Sequence, residues 1–299
     1  MQEDDNNLAF ALKIDFVKDS RDPARVFRCM SGMIHAFSEF DLHVAKTIDI
    51  ETSPILLLQD IETGSLVTWL KNSLKGVPDE ALHELKWKRI FGQFLYESRN
   101  SFVEWLEHRE TISSRGEIQE LQEIILEKAE KSNLNHIPAY SPPSPQQILS
   151  SASALKKATD QLSNRDRSIF ISGAQSRNIN KQFQISESTI KELLTLREIK
   201  QKYEAILLVK KPDYLGKSKW VFRYKGHQIE AHITHAEWVG GFQQQEKKVL
   251  PGDSIRAKIE TTISYGFEGE VVHETYEVAE VLEVIKGGAS GQIGLMLGN

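Results

Sequence analysis

The chain has 299 residues, of which 40% are hydrophobic and 26% are charged, and its net charge is −5 at pH 7. This length suits two domains, and the composition is that of an ordinary globular protein. The negative charge argues against a protein wrapped in nucleic acid, but it is uneven, with a net charge of −8 over residues 1–145 and +3 over the remainder.

The single cysteine, Cys29, excludes an intramolecular disulfide and favours a reducing compartment. The first seven residues are polar and acidic, unlike the start of a secretory signal peptide. No apolar run approaches the ~18 residues that span a bilayer. We therefore expect a cytoplasmic protein that does not associate with membranes.

Residues 8–16 alternate between apolar and polar side chains, which predicts a half-buried strand. Asp22-Pro23 supplies a helix N-cap and a proline at the first helical position, so a helix should run from there to about Ala45. An apolar stripe at helical spacing is expected to pack against the strand. The stripe consists of Val26, Met30, Met33, Phe37 and Phe40.

Two short apolar runs follow. Residues 55–58 predict a second strand, and residues 66–70 predict either a third strand or the start of a helix. Helical spacing then extends from about Pro78 to Ser132, with breaks expected near Gly92 and Gly116. Together these elements predict a small sheet with packed helices in the first half of the chain.

A proline-rich stretch at residues 138–147 predicts a linker between two domains, because prolines interrupt helices and disfavour helix in the residue before them. The predicted domains are a helix-rich α+β domain over residues 1–137 and a β-rich domain with short helices over residues 148–285. Residues 286–299, which are rich in glycine, are predicted to form a tail.

Beyond the prolines, Ser144-Pro145 repeats the pattern of a helix start. Strands are predicted around residues 169–171 and 178–185, with a capped helix over residues 186–196. An alternative interpretation makes residues 179–197 a helix-turn-helix. Glutamates at the start of its second helix disfavour that alternative, because such a helix would have to enter a groove of DNA.

The last third predicts five or six short strands separated by turns with glycine. Strands of this number and spacing are typical of a small barrel or sandwich. The predicted fold class is therefore α+β, with an N-terminal sheet and helices and a C-terminal β-rich barrel or sandwich.

The hairpin at residues 209–225 combines six basic side chains with four aromatic ones, a pairing that suits phosphates and stacked bases. The basic candidates for nucleic-acid binding are Lys210, Lys211, Lys217, Lys219, Arg223 and Lys225. The alternative is a hairpin with a solvated basic face. Period two would then point Trp220, Phe222 and Tyr224 into a core, and we favour this alternative.

Other motifs carry little chemistry. His232 and His235 stand three residues apart in a predicted strand, where their side chains would point to opposite faces and would not converge on a metal. Glycine-rich phosphate loops and the Gly-x-Ser-x-Gly pattern are absent from the sequence. The sequence predicts no catalytic residue, no metal site and no cofactor.

Three functional hypotheses follow. The first is a non-catalytic interaction or adaptor protein of a bacterial cytosol, whose partner is another protein docked on the helices of residues 79–132 or on the glycine-rich tail. The second is binding of single-stranded nucleic acid through the C-terminal β domain. The third is an enzyme whose site is assembled from scattered residues, and the sequence leaves this third hypothesis and the oligomeric state open.

Overall fold

A computed structural model describes residues 9–18, 22–46, 53–62, 66–75, 85–132, 141–216 and 218–287. The chain divides into an N-terminal unit, residues 1–193, and a C-terminal unit, residues 194–299. The first unit contains a five-stranded sheet with helices, and the second contains a closed five-stranded barrel. The predicted α+β fold class is confirmed, and of the two C-terminal alternatives the barrel is correct.

The N-terminal unit contains five strands and five helices among its described residues. They are β1 (Phe10–Asp15), α1 (Ala24–Lys46), β2 (Ser53–Glu62), β3 (Leu66–Lys75), α2 (Leu85–Glu107), α3 (Arg115–Lys131), α4 (Pro145–Thr159), β4 (Arg167–Ser172), β5 (Gln175–Asn178) and α5 (Glu187–Leu194). The strand order is β2-β3-β1-β4-β5, and every neighbouring pair is antiparallel. The central position of β1 explains why its apolar residues are buried so completely.

The predicted apolar stripe of α1 is buried, as the helical spacing indicates. Phe37 is fully buried, and its ring lies 5.8 Å from that of Phe10 on β1 and 5.3 Å from that of Phe170 on β4. The rings of Phe10 and Phe170 are themselves 5.5 Å apart. These three aromatic side chains join α1 to the two central strands of the sheet, and aromatic burial of this kind dominates core energetics.

The proline-rich stretch starts a helix within the N-terminal unit. Ser144 caps α4 in a reciprocal capping box with Gln147, and Pro145 occupies the first turn. A Cβ added to Gly32 of α1 would lie only 2.8 Å from the Cβ of Ala158 on α4. The two helices therefore pack closely at this point. Residues 141–147 of this stretch thus lead into α4, which belongs to the N-terminal unit.

The two compact units of the structure divide after Leu193, whereas the sequence predicts a linker at residues 138–147. Strand β4 pairs with β1 along six residues, so a segment beyond the prolines completes the first sheet. Pairing between strands that are more than 150 residues apart cannot be read from local sequence pattern. Residues 133–140 and the predicted tail beyond residue 287 lie outside the described residues.

A buried ion pair fastens the end of β1 to the start of α1 and to the loop before β4. Arg25 donates to both carboxylate oxygens of Asp166, with distances of 2.8 and 3.0 Å. Asp166 also accepts hydrogen bonds from the backbone N–H groups of Val17 and Ser163, each at 2.9 Å. Burial would raise the pKa of Asp166, but these donors hold it well below its usual range.

A second ion pair lies inside the helical layer. Arg99 on α2 and Asp41 on α1 approach to 3.0 Å, and both side chains are 1% exposed. The Arg99 guanidinium also lies 4.3 Å from the centre of the Phe10 ring. Burial raises the pKa of Asp41 to about 6, and the nearby charge of Arg99 opposes that rise.

The C-terminal unit forms the barrel. Its elements are β6 (Arg197–Lys211), β7 (Trp220–Tyr224), β8 (His227–Ile233), α6 (Ala236–Gln243), β9 (Ser254–Tyr265) and β10 (Val271–Ile285). Strands β6, β7 and β8 form an antiparallel meander, β9 pairs with β6, and β10 lies between β9 and β8. Only the β8–β10 pair is parallel among the described strands of the barrel.

Helix α6 closes one end of the barrel, and sequence pattern did not predict it. Trp238 and Phe242 of α6 are buried against Trp220, with ring-centre distances of 5.8 and 4.7 Å. The helix-turn-helix alternative is wrong, because the described residues 179–186 contain no helix before α5.

The aromatic cluster of the N-terminal core is testable by truncation. Phe37→Ala should destabilise the N-terminal unit by about 3–5 kcal/mol, because it removes a fully buried ring and leaves a cavity between α1 and the sheet. Chemical denaturation followed by circular dichroism measures the change. Phe27→Ala on the same helix is the matched control, since Phe27 is 66% exposed. Equal stabilities of the two variants would contradict this packing.

The Arg25–Asp166 pair predicts a pH dependence. Because the folded pKa of Asp166 is depressed, its stabilisation is present above the unfolded value of about 3.9 and is lost as pH falls below that value. Asp166→Asn should cost roughly 3–5 kcal/mol at pH 7, since it removes the negative charge that faces the buried Arg25 guanidinium. The difference between wild type and variant should shrink at pH 2–3. A difference that is constant with pH would contradict the assignment.

Candidate functional site at the open end of the barrel

The hairpin of β6 and β7 separates its aromatic from its basic residues. Trp220 and Phe222 point into the barrel and are 2% and 0% exposed. Arg223, which lies between Phe222 and Tyr224 along the strand, is exposed. The period-two interpretation of this hairpin is therefore confirmed. A stacking surface built from Trp220 and Phe222 is excluded by their burial.

The predicted basic residues that the structure describes lie on the outer surface or at the rim of the barrel. Lys210 donates to the side-chain oxygen of Gln228 at 2.8 Å. Four others are exposed and form no ion pair with any described residue; they are Lys211, Lys219, Arg223 and Lys225. Lys217 lies outside the described residues.

Elsewhere on the barrel, several basic side chains are paired with acids. Lys202 lies 2.9 Å from Glu260, and Lys258 lies 2.7 Å from Glu280. Residues 194–299 carry 14 basic and 14 acidic side chains, so this unit has no net charge. The positive balance of the second half of the chain comes instead from residues 146–193, which belong to the N-terminal unit. Cations without an ion pair among the described residues occur on the β6–β7–β8 side and also at Lys247 and Lys248 after α6.

The barrel has a cleft beside Tyr224 at the end of β7, whereas α6 packs on Trp220 at the start of that strand. Strands β8 and β10 pair at only three positions, from Ala231 with Tyr276 to Ile233 with Val278. Before those positions β10 no longer pairs with β8, and a cleft of about 660 Å³ lies between them. This volume is within the range of sites that take a small molecule or one unit of a polymer. We refer to this space as the mouth cleft.

Three tyrosines line the mouth cleft: Tyr203 of β6, Tyr224 of β7 and Tyr276 of β10. The ring centre of Tyr224 lies 6.4 Å from those of both Tyr203 and Tyr276. The Tyr203 hydroxyl is 3.0 Å from that of Thr261. All three rings are partly buried and pack against the barrel core, so their faces are held in place by their own strands.

The hydroxyls of this cluster are neutral hydrogen-bonding groups at physiological pH. Burial and a hydrogen bond with Tyr203 raise the pKa of Tyr224 to about 12. Burial also raises the pKa of Tyr276, together with a hydrogen bond to the Glu274 carboxylate. The phenols therefore present both apolar faces and polar tips.

The charged residues around the tyrosines differ between the two sides of the cleft. Lys219 and Lys225 border it from the two ends of β7, and Lys225 lies 5.2 Å from the centre of the Tyr224 ring. Glu274 and His273 border it from β10. The mouth cleft thus combines aromatic faces, two cations beside β7 and two carboxylates, Glu230 on β8 and Glu274 on β10.

A serine, a histidine and a glutamate meet in the N-terminal unit, which bears on the enzyme hypothesis. His43 Nδ1 is 3.2 Å from the Ser151 hydroxyl, and His43 Nε2 is 3.9 Å from Glu39. Ser151 is fully buried, however, and its hydroxyl donates to the carbonyl of Gln147 at 3.0 Å. A buried hydroxyl that bonds back to the carbonyl four residues earlier in its own helix is a structural group, since a nucleophile must reach substrate. Burial also lowers the pKa of His43.

The other sequence candidates are structural or isolated. Among the described residues, no three His, Cys, Asp or Glu side chains are grouped so as to hold a metal ion. His235 accepts a hydrogen bond from the backbone N–H of Val281 at 3.1 Å, while His232 faces outward on β8. Cys29 is buried, and that burial raises its thiol pKa to about 12. None of the helices formed by the described residues is long and apolar enough to cross a membrane.

Sequence reasoning found Lys219, Tyr224 and Lys225 but missed the other residues of the mouth cleft. Tyr203 and Tyr276 are 73 positions apart and come together only through barrel closure. Their one sequence signal was a tyrosine at a strand position where the neighbouring inward residues are aliphatic. No family model, curated protein or solved structure matches this chain.

Two substitutions should separate the core of the barrel from its mouth. Trp220→Ala should destabilise the C-terminal unit by about 3–5 kcal/mol, because Trp220 packs between the barrel core and α6. Tyr276→Phe should change its stability by less than about 1 kcal/mol, since it removes only a hydroxyl that bonds to the exposed Glu274. Denaturant unfolding monitored by tryptophan fluorescence tests both. Near-equal losses would contradict the division into core and mouth.

Proposed function

We propose that the C-terminal barrel binds single-stranded nucleic acid, with phosphates on the free cations of the β6–β7–β8 side and bases at the tyrosines of the mouth cleft. One observation carries this proposal: unpaired cations and partly exposed aromatic rings meet at one open end of a small barrel. Single-stranded nucleic acids are held by this combination, because phosphates need positive charge and bases need flat apolar faces.

The architecture of the barrel supports the same proposal. Five strands in a Greek-key order, with β10 inserted between β9 and β8, are the arrangement of OB-fold barrels. Barrels of that type bind oligonucleotides or oligosaccharides on the face of their second and third strands, which correspond here to β7 and β8. A fold by itself does not assign a function, so the residues of the cleft carry the proposal.

A local cationic site is compatible with the acidic net charge of the whole protein. Four free cations near the hairpin would contact only a few nucleotides, which a net-neutral unit can accommodate. Lys219 and Lys225 border the mouth cleft, whereas Lys211 and Arg223 extend the positive surface along the outer face of β6 and β7. A short strand lying across β7 and the adjoining end of β6 would therefore meet all four.

The adaptor hypothesis keeps less support. Its docking surface was expected on the helices of residues 79–132, but the apolar side chains of α2 and α3 that the structure describes are largely buried. Examples are Phe94 and Phe102 of α2 and Leu121 of α3, which are at most 1% exposed. The glycine-rich tail, the other expected contact, lies outside the described residues beyond residue 287. Binding of a protein partner thus stays a hypothesis, because neither expected docking surface is identified among the described residues.

We retain a reducing, cytoplasmic compartment as part of the proposal. The buried thiol of Cys29 is the only one in the chain, so no intramolecular disulfide stabilises either unit. Buried ion pairs such as Arg25–Asp166 and aromatic packing account for the cohesion of the N-terminal unit instead.

The salt dependence of binding tests this function. Four neutralised phosphates predict a slope of about −3 when the logarithm of the association constant is plotted against the logarithm of the salt concentration. The combined variant Lys219→Gln, Lys225→Gln should weaken binding of all sequences alike and reduce the slope by about 1.4, because each lost phosphate contact removes about 0.7. Fluorescence anisotropy with labelled nine-nucleotide DNA measures both quantities.

The matched control is the combined variant Arg256→Gln, Lys258→Gln. It removes the same charge from the same barrel, but at β9 residues that are paired with Glu283 and Glu280. The control should bind like the wild type. Absence of binding by the wild-type chain at low salt, or equal losses in both variants, would contradict the proposal.

A further inference from the structure

Two carboxylates border the mouth cleft, and only one of them lies on the same strand face as a tyrosine ring. Glu230 of β8 alternates with the buried Ile229 and Ala231, so it faces away from the core. Glu274 lies two residues before Tyr276 and on the same face of β10. A base placed among the tyrosine rings would therefore lie beside Glu274, with its phosphate toward Lys219 and Lys225.

Glu274 is suited to reading a base edge. Its side chain is exposed at the cleft, and its interaction with the Tyr276 hydroxyl contributes to the raised pKa of that phenol. A carboxylate has two oxygens with about four acceptor positions, so it can accept N–H donors from a base.

Guanine offers the best match to that carboxylate. Its Watson–Crick edge carries two adjacent donors, the ring N1–H and the 2-amino group, which fit the two oxygens of one carboxylate. Adenine and cytosine each present a single amino group beside an acceptor nitrogen, which a carboxylate repels. Single-stranded bases are commonly read on this edge while they stack on aromatic side chains.

We propose that the mouth cleft selects guanine in single-stranded nucleic acid, with Glu274 of β10 accepting hydrogen bonds from the guanine edge and Tyr203, Tyr224 and Tyr276 providing the aromatic surroundings. This inference rests on the proposed function, since it assumes that the strand binds at this cleft. It goes further, because phosphate contacts alone would bind all sequences equally.

The test uses the full chain and nine-nucleotide DNAs of thymine with one central variable base. Guanine, hypoxanthine, adenine and cytosine are compared by fluorescence anisotropy at one low salt concentration. Hypoxanthine is guanine without the 2-amino group, so it isolates one of the two hydrogen bonds. Wild-type protein should bind the guanine strand about tenfold more tightly than the adenine strand, with hypoxanthine between them.

Two substitutions with the same charge change locate the effect. Glu274→Gln should abolish the preference for guanine, because an amide presents a donor where the carboxylate had an acceptor. Glu230→Gln, on the outer face of β8 at the opposite wall, should keep the preference and tighten binding of every strand slightly. Both side chains are exposed, so neither change should impair folding.

The outcomes separate the two proposals. Equal affinity for all four strands, or a preference for adenine or cytosine, would overturn guanine selection and leave the proposed function standing. A guanine preference that persists in Glu274→Gln would overturn the role of Glu274. No binding of any strand at low salt would overturn the proposed function and guanine selection together.

Discussion

The C-terminal barrel closes through a parallel ladder of only three residue pairs, between Ala231–Ile233 of β8 and Tyr276–Val278 of β10. A longer ladder would seal this seam along its length, and a shorter one would leave the sheet open with unpaired edges. Because pairing stops at Tyr276, the residues before it on β10 diverge from β8 and form one wall of the mouth cleft. Helix α6 contributes Trp238 and Phe242 to the barrel core, where both pack against Trp220.

Strict alternation along the strands then decides which side chains a ligand can meet. Inward positions on β7 give the core two large rings, Trp220 and Phe222, and the third inward ring, Tyr224, falls where the barrel opens. Outward and flanking positions place four of the cations on the surface without an ion pair among the described residues. Period-two alternation therefore buries Trp220 and Phe222, which cannot form a binding surface, and places Tyr224 at the mouth cleft. The N-terminal unit, by contrast, uses its aromatic and charged residues for its own cohesion, in the Phe10–Phe37–Phe170 cluster and the Arg25–Asp166 pair.

Local pattern predicted the elements whose signals are local. The amphipathic stripe of α1, the capped start of α4 at Ser144-Pro145 and the alternation of β7 were all readable from the sequence, because side-chain period and capping chemistry act within a few residues. Domain division was not readable, since β4 joins β1 across more than 150 residues. The mouth cleft was half readable: Tyr224 and Lys225 lie in the conspicuous hairpin, whereas Tyr203, Tyr276 and Glu274 reach the cleft only through barrel closure. Helix α6 was missed, because it is a short element enclosed by turns and its signal is weak.

The central claim is that ligand binding is confined to the open end of the barrel. Backbone amide shifts of the isotopically labelled full chain, recorded by NMR while a short single-stranded DNA is added, test it most directly. The account predicts shifts concentrated in residues 223–230 of the β7–β8 hairpin and 273–276 of β10, with none in α6. Shifts centred on α6 or on the sheet of the N-terminal unit, or no shifts at low salt, would contradict it.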